Sequence, residues 1–345
     1  MKKMLALLLA LVMVLRLAAC ASCLPAAATT ETAETTETTE PAAEESAEAP
    51  AESGKTYTVG VCQLVQHEAL DAATQGFIDA LKEELGDAVT VDVQNASGDS
   101  VNCGTIVNSF VSKGVDLIMA NATPALTAAV SATADIPILG TSITAYGVAL
   151  DIDDFNGTVG GNVSGTSDLA DLQAQAQMIL DWFPETKTVG LLFCSAEPNS
   201  RYQIDEVRKA LEAQGVTCEE FAFTDSNDVS SVTQKAADFS DVVYIPTDNT
   251  AASNTEAIAN VLIPAGVPAI CGEEGLCRGC GVATLSISYY DLGVTTGERA
   301  AKILKGEANI SEMPVEYTDA TPKYNASICD QLGITPLDGY EAIDG

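Results

Sequence analysis

The chain has 345 residues, with 49 Asp and Glu against 16 Lys and Arg, for a formal net charge of −33. A surface this acidic is repelled by phosphate backbones, which excludes nucleic acid as a partner, and it offers no basic patch to an anionic lipid surface. With 47% hydrophobic residues the chain still has enough apolar material, over a long enough stretch, for two packed lobes.

Met1-Lys2-Lys3 precede an apolar run from Met4 to Leu15, and Leu17-Ala18-Ala19-Cys20 follows. A positive start, a short apolar run and a small-residue cleavage site read as a signal peptide over 1–19. The run is shorter than the roughly 20 residues that span a bilayer. Leu17 to Cys20 resembles the bacterial lipobox, and the resemblance implies lipidation at Cys20 and attachment to the membrane through that lipid. Residues 20–54 are Thr, Glu, Ala and Pro, as in Thr29-Thr30-Glu31-Thr32. Such a stretch buries no apolar area to offset the entropy of ordering, and its charges keep it extended, so it is expected to be a tether.

From Tyr57 onward, short apolar runs alternate with helical patterns. The sequence predicts strand Tyr57–Leu64, helix Glu68–Leu85, strand Val89–Val93, helix Ser100–Lys113, strand Val115–Ala120, helix Pro124–Thr133 and strand Ile136–Gly140. After Gly160-Gly161-Asn162 the pattern restarts with helix Asp168–Trp182, strand Thr188–Cys194, helix Asn199–Gln214, strand Val216–Phe223 and helix Asp228–Asp238. Strand Asp241–Pro246, helix Ala251–Ala265, strand Val267–Cys271 and helix Tyr289–Lys305 complete it. Nearly all-apolar strands alternating with helices predict parallel sheets covered on both faces. The expected class is α/β, two doubly wound parallel-sheet lobes: 55–163 for the first, with part of 285–345 returning to it, and 164–284 for the second. Ligands of such sheets bind beyond the carboxyl ends of the strands, here the cleft between the lobes.

Ten cysteines are many for an exported chain. Cys277-Arg278-Gly279-Cys280 near Cys271 suggests zinc, but four ligands are needed; no second CxxC follows, and the one histidine, His67, is far off. No metal and no cofactor is expected, and a Cys277–Cys280 disulfide stays open as an alternative. No Ser-His-Asp order, paired-carboxylate motif or glycine-rich phosphate loop appears, so enzymatic chemistry has no support.

Six segments carry a resemblance: Val59 to Asp71, Gln94 to Asp99, Ala122-Thr123-Pro124-Ala125, Gly161 to Asp168, Tyr244 to Asn249, and Ser288 to Gly293. In this order they resemble the ABC-transporter substrate-binding proteins that include the tryptophan and tyrosine binders of Gram-positive bacteria. The resemblance implies a periplasmic-binding-protein type I fold and no enzymatic activity. It also implies a small-molecule solute, an amino acid before others, delivered to an ABC permease and its ATPase at the outer face of the cytoplasmic membrane. The chain departs from the pattern at Cys277 and Cys280, and after Tyr146.

The strand-end loops supply the expected contacts. Thr123, read as a helix N-cap with Pro124 at the first helical position, would offer free N–H groups to an α-carboxylate. Thr141 and Ser142 add hydroxyls, and Gln63 and His67 flank the loop after the first strand. From the second lobe come Asn199, Ser200, Asp248, Asn249 and Glu273. An α-ammonium needs a carboxylate, for which Asp248 is the first choice and Glu273 the second, while a plain helix cap is the competing role for Asp248. Arg201 and Arg278 are the few basic residues near these loops, which argues against a phosphorylated solute. The aromatics expected closest are Tyr146, Phe193, Tyr202 and Tyr244. Their scarcity places a sugar or nucleoside second, and a sensory ligand-binding protein feeding a membrane receptor remains a further alternative.

Overall fold

The computed structural model describes residues 54–343. The signal segment, Cys20 and nearly all of the expected tether lie outside them. The chain runs β1 (Tyr57–Gln63), α1 (Glu68–Leu85), β2 (Val89–Asn95), α2 (Ser100–Lys113), β3 (Leu117–Asn121), α3 (Thr123–Ala132), β4 (Ile138–Ile143), α4 (Tyr146–Ala149) and β5 (Val163–Ser167). It continues with α5 (Leu172–Trp182), β6 (Thr188–Cys194), α6 (Pro198–Glu212), β7 (Thr217–Phe223), α7 (Val229–Phe239) and β8 (Val242–Ile245). Then come α8 (Asn249–Ala252), α9 (Thr255–Ala265), β9 (Ala269–Cys271), α10 (Glu274–Cys280) and β10 (Ala283–Ser286). The last elements are α11 (Tyr289–Lys305), β11 (Glu316–Tyr317), β12 (Thr321–Tyr324), α12 (Ala326–Leu332) and β13 (Glu341–Ala342).

Two sheets result, in the orders β11-β5-β4-β3-β1-β2 and β13-β12-β10-β9-β8-β6-β7. The pairings are parallel except β10 with β12, as buried, continuously apolar strands such as β1 and β3 require. Parallel register brings the carboxyl ends of neighbouring strands level: Gln63 pairs with Asn95 and Asn121, and Cys194 with Phe223. The chain passes between the sheets three times, after β5, after β10 and after β11.

Some elements depart from the sequence reading. Val163–Ser167 is a strand of the first sheet, so that sheet keeps the chain to Ser167 rather than 163. Its one glycine and small hydroxyl residues carry no β-branched run; pairing with β4 and β11 makes it a strand. The helix expected from Asp168 starts at Leu172, because Asp171 caps it by accepting from Gln173 and Ala174 N–H. The helix expected over Ala251–Ala265 is broken at Ser253 and Asn254 into α8 and α9. Cys277 and Cys280 sit on α10, not in a loop, as buried free thiols, and Cys280 donates to Leu276 O.

α11 returns to the first lobe and lies along α1. A Cβ at Gly293 would stand 2.0 Å from Ala73 O, and one at Gly76 would stand 2.1 Å from Tyr290 O. The helices therefore meet backbone to backbone, and glycine is required at both positions. Phe77 and Leu81 of α1 share a core with Ala300, Ala301 and Leu304 of α11.

Candidate functional site

The carboxyl ends of the strands of both lobes enclose a buried cavity. It is lined from one side by His67, Leu70, Ser142, Thr144 and Asp168, from the other by Asn199, Thr247, Asp248, Asn249, Ala252 and Glu273, with Tyr289 beside them. Its open volume is about 10 Å³, room for one water-sized group. A larger depression of about 430 Å³ borders it at Asn249, lined by Leu64, Val65 and Pro124 on one side and Ala196, Glu197 and Thr250 on the other.

Ser142 owes its place to a register shift between β4 and β5 at Gly140 and Ile143, and to its own φ of 55°. Bulges of this kind re-aim a side chain beside a site. His67 precedes α1, and its Nε2 lies 3.2 Å from Asn249 Oδ1 of the other lobe. Glu197 organises the second lobe's loop. It accepts from Asn249 N, Asn249 Nδ2, Thr250 N and Thr250 Oγ1 at 2.7–3.0 Å. A second contact across the lobes, Arg278 with Glu68 at 3.2 Å, is half exposed.

Four cavity side chains each leave a polar atom unpaired: His67 Nδ1, Ser142 Oγ, Asp168 Oδ1 and Asn199 Oδ1. Buried polar atoms in folded proteins are nearly always paired, so four together in one cavity mark a place where something else supplies the partners. Asp168 is 5% exposed, and its other oxygen accepts from Tyr289 OH at 2.9 Å. Burial pushes its carboxyl above the usual range, against the hydroxyls of Tyr289 and Thr144. Burial likewise lowers the His67 pKa, so the imidazole is neutral at pH 7. No lysine or arginine lines the cavity among the described residues.

Asp248 and Glu273 line the cavity, yet their carboxylates face their own lobe. Asp248 caps α8, accepting from Ala251 N at 2.8 Å and Cys194 N at 2.6 Å. Burial, with Glu197 nearby, pushes its pKa up to about 8. Glu273 caps α10 through Gly275 and Leu276 N–H, and burial raises it to about 7. The cap role weighed for Asp248 is the one its hydrogen bonds fill, and the same holds for Glu273.

Of the other expected contacts, His67, Ser142, Asn199 and Asn249 meet at the cavity, whereas Gln63, Thr123, Thr141 and Ser200 do not line it. Gln63 is fully engaged with Val65, Asp71 and Thr74. Thr141 forms a hydroxyl trio with Thr166 and Thr296 beneath the site. Ser200 lies buried against Asn199. Thr123 is the first residue of α3 rather than its cap; Ala122 holds the cap position at φ 88°, and Pro124 faces the outer depression. Tyr146 and Tyr244 are buried in the lobes, donating to Thr166 O and Gln175, and Phe193 is also buried, beneath Arg201. Tyr289 is the cavity's aromatic.

Sequence reasoning missed Leu70, Thr144, Asp168, Thr247, Ala252 and Tyr289. Leu70, Asp168, Thr247 and Tyr289 stand within segments that carry the resemblance, the signal that could have found them. Among the described residues, no group of three or more His, Cys, Asp or Glu side chains is arranged to hold a metal ion. No described helix is long and apolar enough to cross a membrane.

Two α/β lobes joined by three strand-end connections, closing over a small polar cavity, define a two-lobed solute-binding protein of the periplasmic-binding-protein kind. The chain belongs to the family of ABC transporter substrate binding proteins, whose model matches residues 58–339. Proteins of this family are exported carriers, generally without enzymatic activity, that serve ABC transporters. The chain is 33% identical over 276 residues to the tyrosine-binding protein of Clostridioides difficile (strain R20291), covering 78% of this chain and 79% of that one. It also matches an ABC domain in complex with L-Trp from Streptococcus pneumonia, at 32% identity and TM-score 0.79, covering 84% of this chain and all of that one. A substrate binding protein with adhesive properties from Clostridium difficile, in its ligand-free, open structure, gives 33% identity over 84% of this chain and 99% of that one, but a TM-score of 0.64. At nearly equal identity the lower score against an open form accords with the contacts across the cleft: the lobes here are closed.

Proposed function

We propose that this protein captures an α-amino acid, apolar or aromatic, in the cleft and presents it to an ABC permease and its ATPase. The observation that carries the reading is the set of four unpaired buried polar atoms gathered in one cavity between the lobes. The named ligands of two relatives, tyrosine and L-Trp, support the amino-acid class. Leu70, Ala252 and the Tyr289 ring give the cavity an apolar wall beside these polar atoms.

We also place the chain on the outer face of the cytoplasmic membrane, held by a lipid on Cys20, from the Leu17-Ala18-Ala19-Cys20 pattern. The test of the solute class is a thermal-shift screen against amino acids, sugars and nucleosides. A ligand at about 100 times its Kd stabilises by about 2.7 kcal/mol, so aromatic or branched amino acids should raise Tm. A protein stabilised by a sugar or nucleoside and by no amino acid sinks the reading.

A further inference from the structure

We propose that the cavity is a socket for a primary ammonium group, with Asp168 as its counter-ion and His67 and Asn199 as its other two acceptors. The proposal rests on the amino-acid reading above and goes further, assigning the end of the solute that is read and the residues that read it.

Three side chains present lone pairs to the cavity. Asn249 Nδ2 donates to Glu197 Oε2 at 2.7 Å, so Asn249 Oδ1 is the atom turned to His67. His67 Nε2 must then carry the ring proton, and in a neutral imidazole Nδ1 is left as a bare acceptor. Asn199 Nδ2 donates to Glu197, Ser200 and Thr247, which leaves its Oδ1 as the second acceptor. Asp168 Oδ1 is the third, on the one carboxyl group among the three side chains. A primary ammonium has three N–H bonds and one positive charge, and is the size of a water molecule, matching an open volume of about 10 Å³. A water molecule has only two donors and leaves the Asp168 charge uncompensated. An anion would meet acceptors and a carboxylate without one basic side chain in the lining.

Two lobes contribute: His67 and Asp168 from the first, Asn199 from the second. The ammonium is therefore itself a bridge across the cleft. Asp248 and Glu273, though nearer the ordinary expectation for a counter-ion, have their oxygens engaged by backbone N–H groups.

The test is calorimetry on the purified full chain with L-tyrosine and L-tryptophan, their N-methyl forms and their desamino analogues, 3-(4-hydroxyphenyl)propionate and indole-3-propionate. Each analogue removes donors while keeping the ring. The amino acid should bind tightest, the N-methyl form weaker, and the desamino form at least about 30-fold weaker. Asp168→Asn should cost the amino acid about 30-fold or more and leave the desamino analogue's affinity nearly unchanged, so that the gap between them narrows. A merely structural role for Asp168 would lower both together, leave the gap intact and overturn the assignment. Should Asp168→Asn fail to fold, the analogue series on the wild type still decides: equal binding of amino acid and desamino analogue overturns the socket while leaving the amino-acid reading intact. A wild type that binds none of these, but binds a sugar or nucleoside, overturns both.

Discussion

His67 Nε2 and Asn249 Oδ1, 182 positions apart in the chain and on opposite lobes, lie 3.2 Å apart in a hydrogen bond across the cleft. The proton on Nε2 is what leaves Nδ1 open toward the cavity, so lobe closure and the state of the site are set by one ring. Asn249→Ala removes the closing partner and, within the second lobe, the Nδ2 bond to Glu197, while its main-chain N–H still holds Glu197. One hydrogen bond contributes about 0.5–1.5 kcal/mol net, so the amino-acid affinity should fall by up to about tenfold. The loss should appear mainly as faster release in stopped-flow fluorescence, and an unchanged release rate would show that the clasp does not hold the lobes closed.

Acid should weaken binding. The His67 pKa lies below the ordinary 6.5 because the ring is buried. Protonation turns Nδ1 from acceptor to donor and places a positive charge beside the solute's ammonium. Asp168, raised above 3.8 by burial, must be ionised to act as counter-ion. Both titrations act in one direction, so affinity should fall as pH drops from neutral through the range below 6.5. Calorimetry at pH 7.5, 6 and 5 checks this, and an affinity that is flat or rises on acidification contradicts it.

The unliganded protein should behave in the opposite sense. Asp248 goes from an ordinary 3.8 to about 8 on folding, and Glu273 from 4.5 to about 7. Between those limits the folded state binds more protons than the unfolded one, so stability is fullest below pH 4 as far as these groups are concerned, and is lost as pH rises through 7 and 8. The Tm should therefore decline from pH 5 to pH 8.5. Asp248→Asn should flatten that decline. It should also lower the Tm at pH 5 by a few degrees, because one of the Cys194 and Ala251 N–H groups loses its acceptor, at roughly 1–3 kcal/mol. A variant with the wild-type slope would show that Asp248 is not the group titrating.

Gly293→Leu has no room, since even a Cβ there meets Ala73 O at 2.0 Å. Forcing the helices apart should lower stability by at least about 1–3 kcal/mol, read as a Tm drop of several degrees in calorimetry. A variant as stable as the wild type would mean that α1 and α11 can slide without penalty.

The lipid anchor has its own test. Cys20→Ser should free the protein from the membrane fraction in detergent partitioning, and continued retention of that variant sinks the anchor.

The alternation of strands and helices was legible because buried parallel strands are continuously apolar, as in Leu117 to Ala120, and helix periodicity is strong in α1. Elements held by their partners rather than by their own composition were not. β5, with Gly165 among Ser and Thr, has no strand signal, and α10 starts where Glu273 supplies its own cap. His67, Ser142, Asn199 and Asn249, expected because they follow strand ends, are the ones that line the cavity. The helical pattern starts at Asp168 on paper, because a sequence does not show that Asp171 takes the cap and leaves Asp168 turned to the cavity. Asp248 and Glu273, expected as counter-ions with a cap as the other role for Asp248, both cap helices: a carboxylate at a strand end looks the same on paper whether backbone N–H groups occupy it or not.

The contact of α1 with α11 also sets an order of assembly. α1 belongs to the first stretch of the body to be made, and the face it turns to α11, with Ala73 and Gly76 at its centre, lacks that cover until Tyr289–Lys305 exists. The second sheet waits as well, since β10 lacks its outer neighbour until β12 arrives. A chain that emerges amino end first therefore carries an uncovered apolar flank through most of its synthesis and export. Neither lobe can be finished first and left to wait for the other; both are sealed by the last sixty residues or so, and a chain cut just before Tyr289 would leave two incomplete halves rather than one sound lobe.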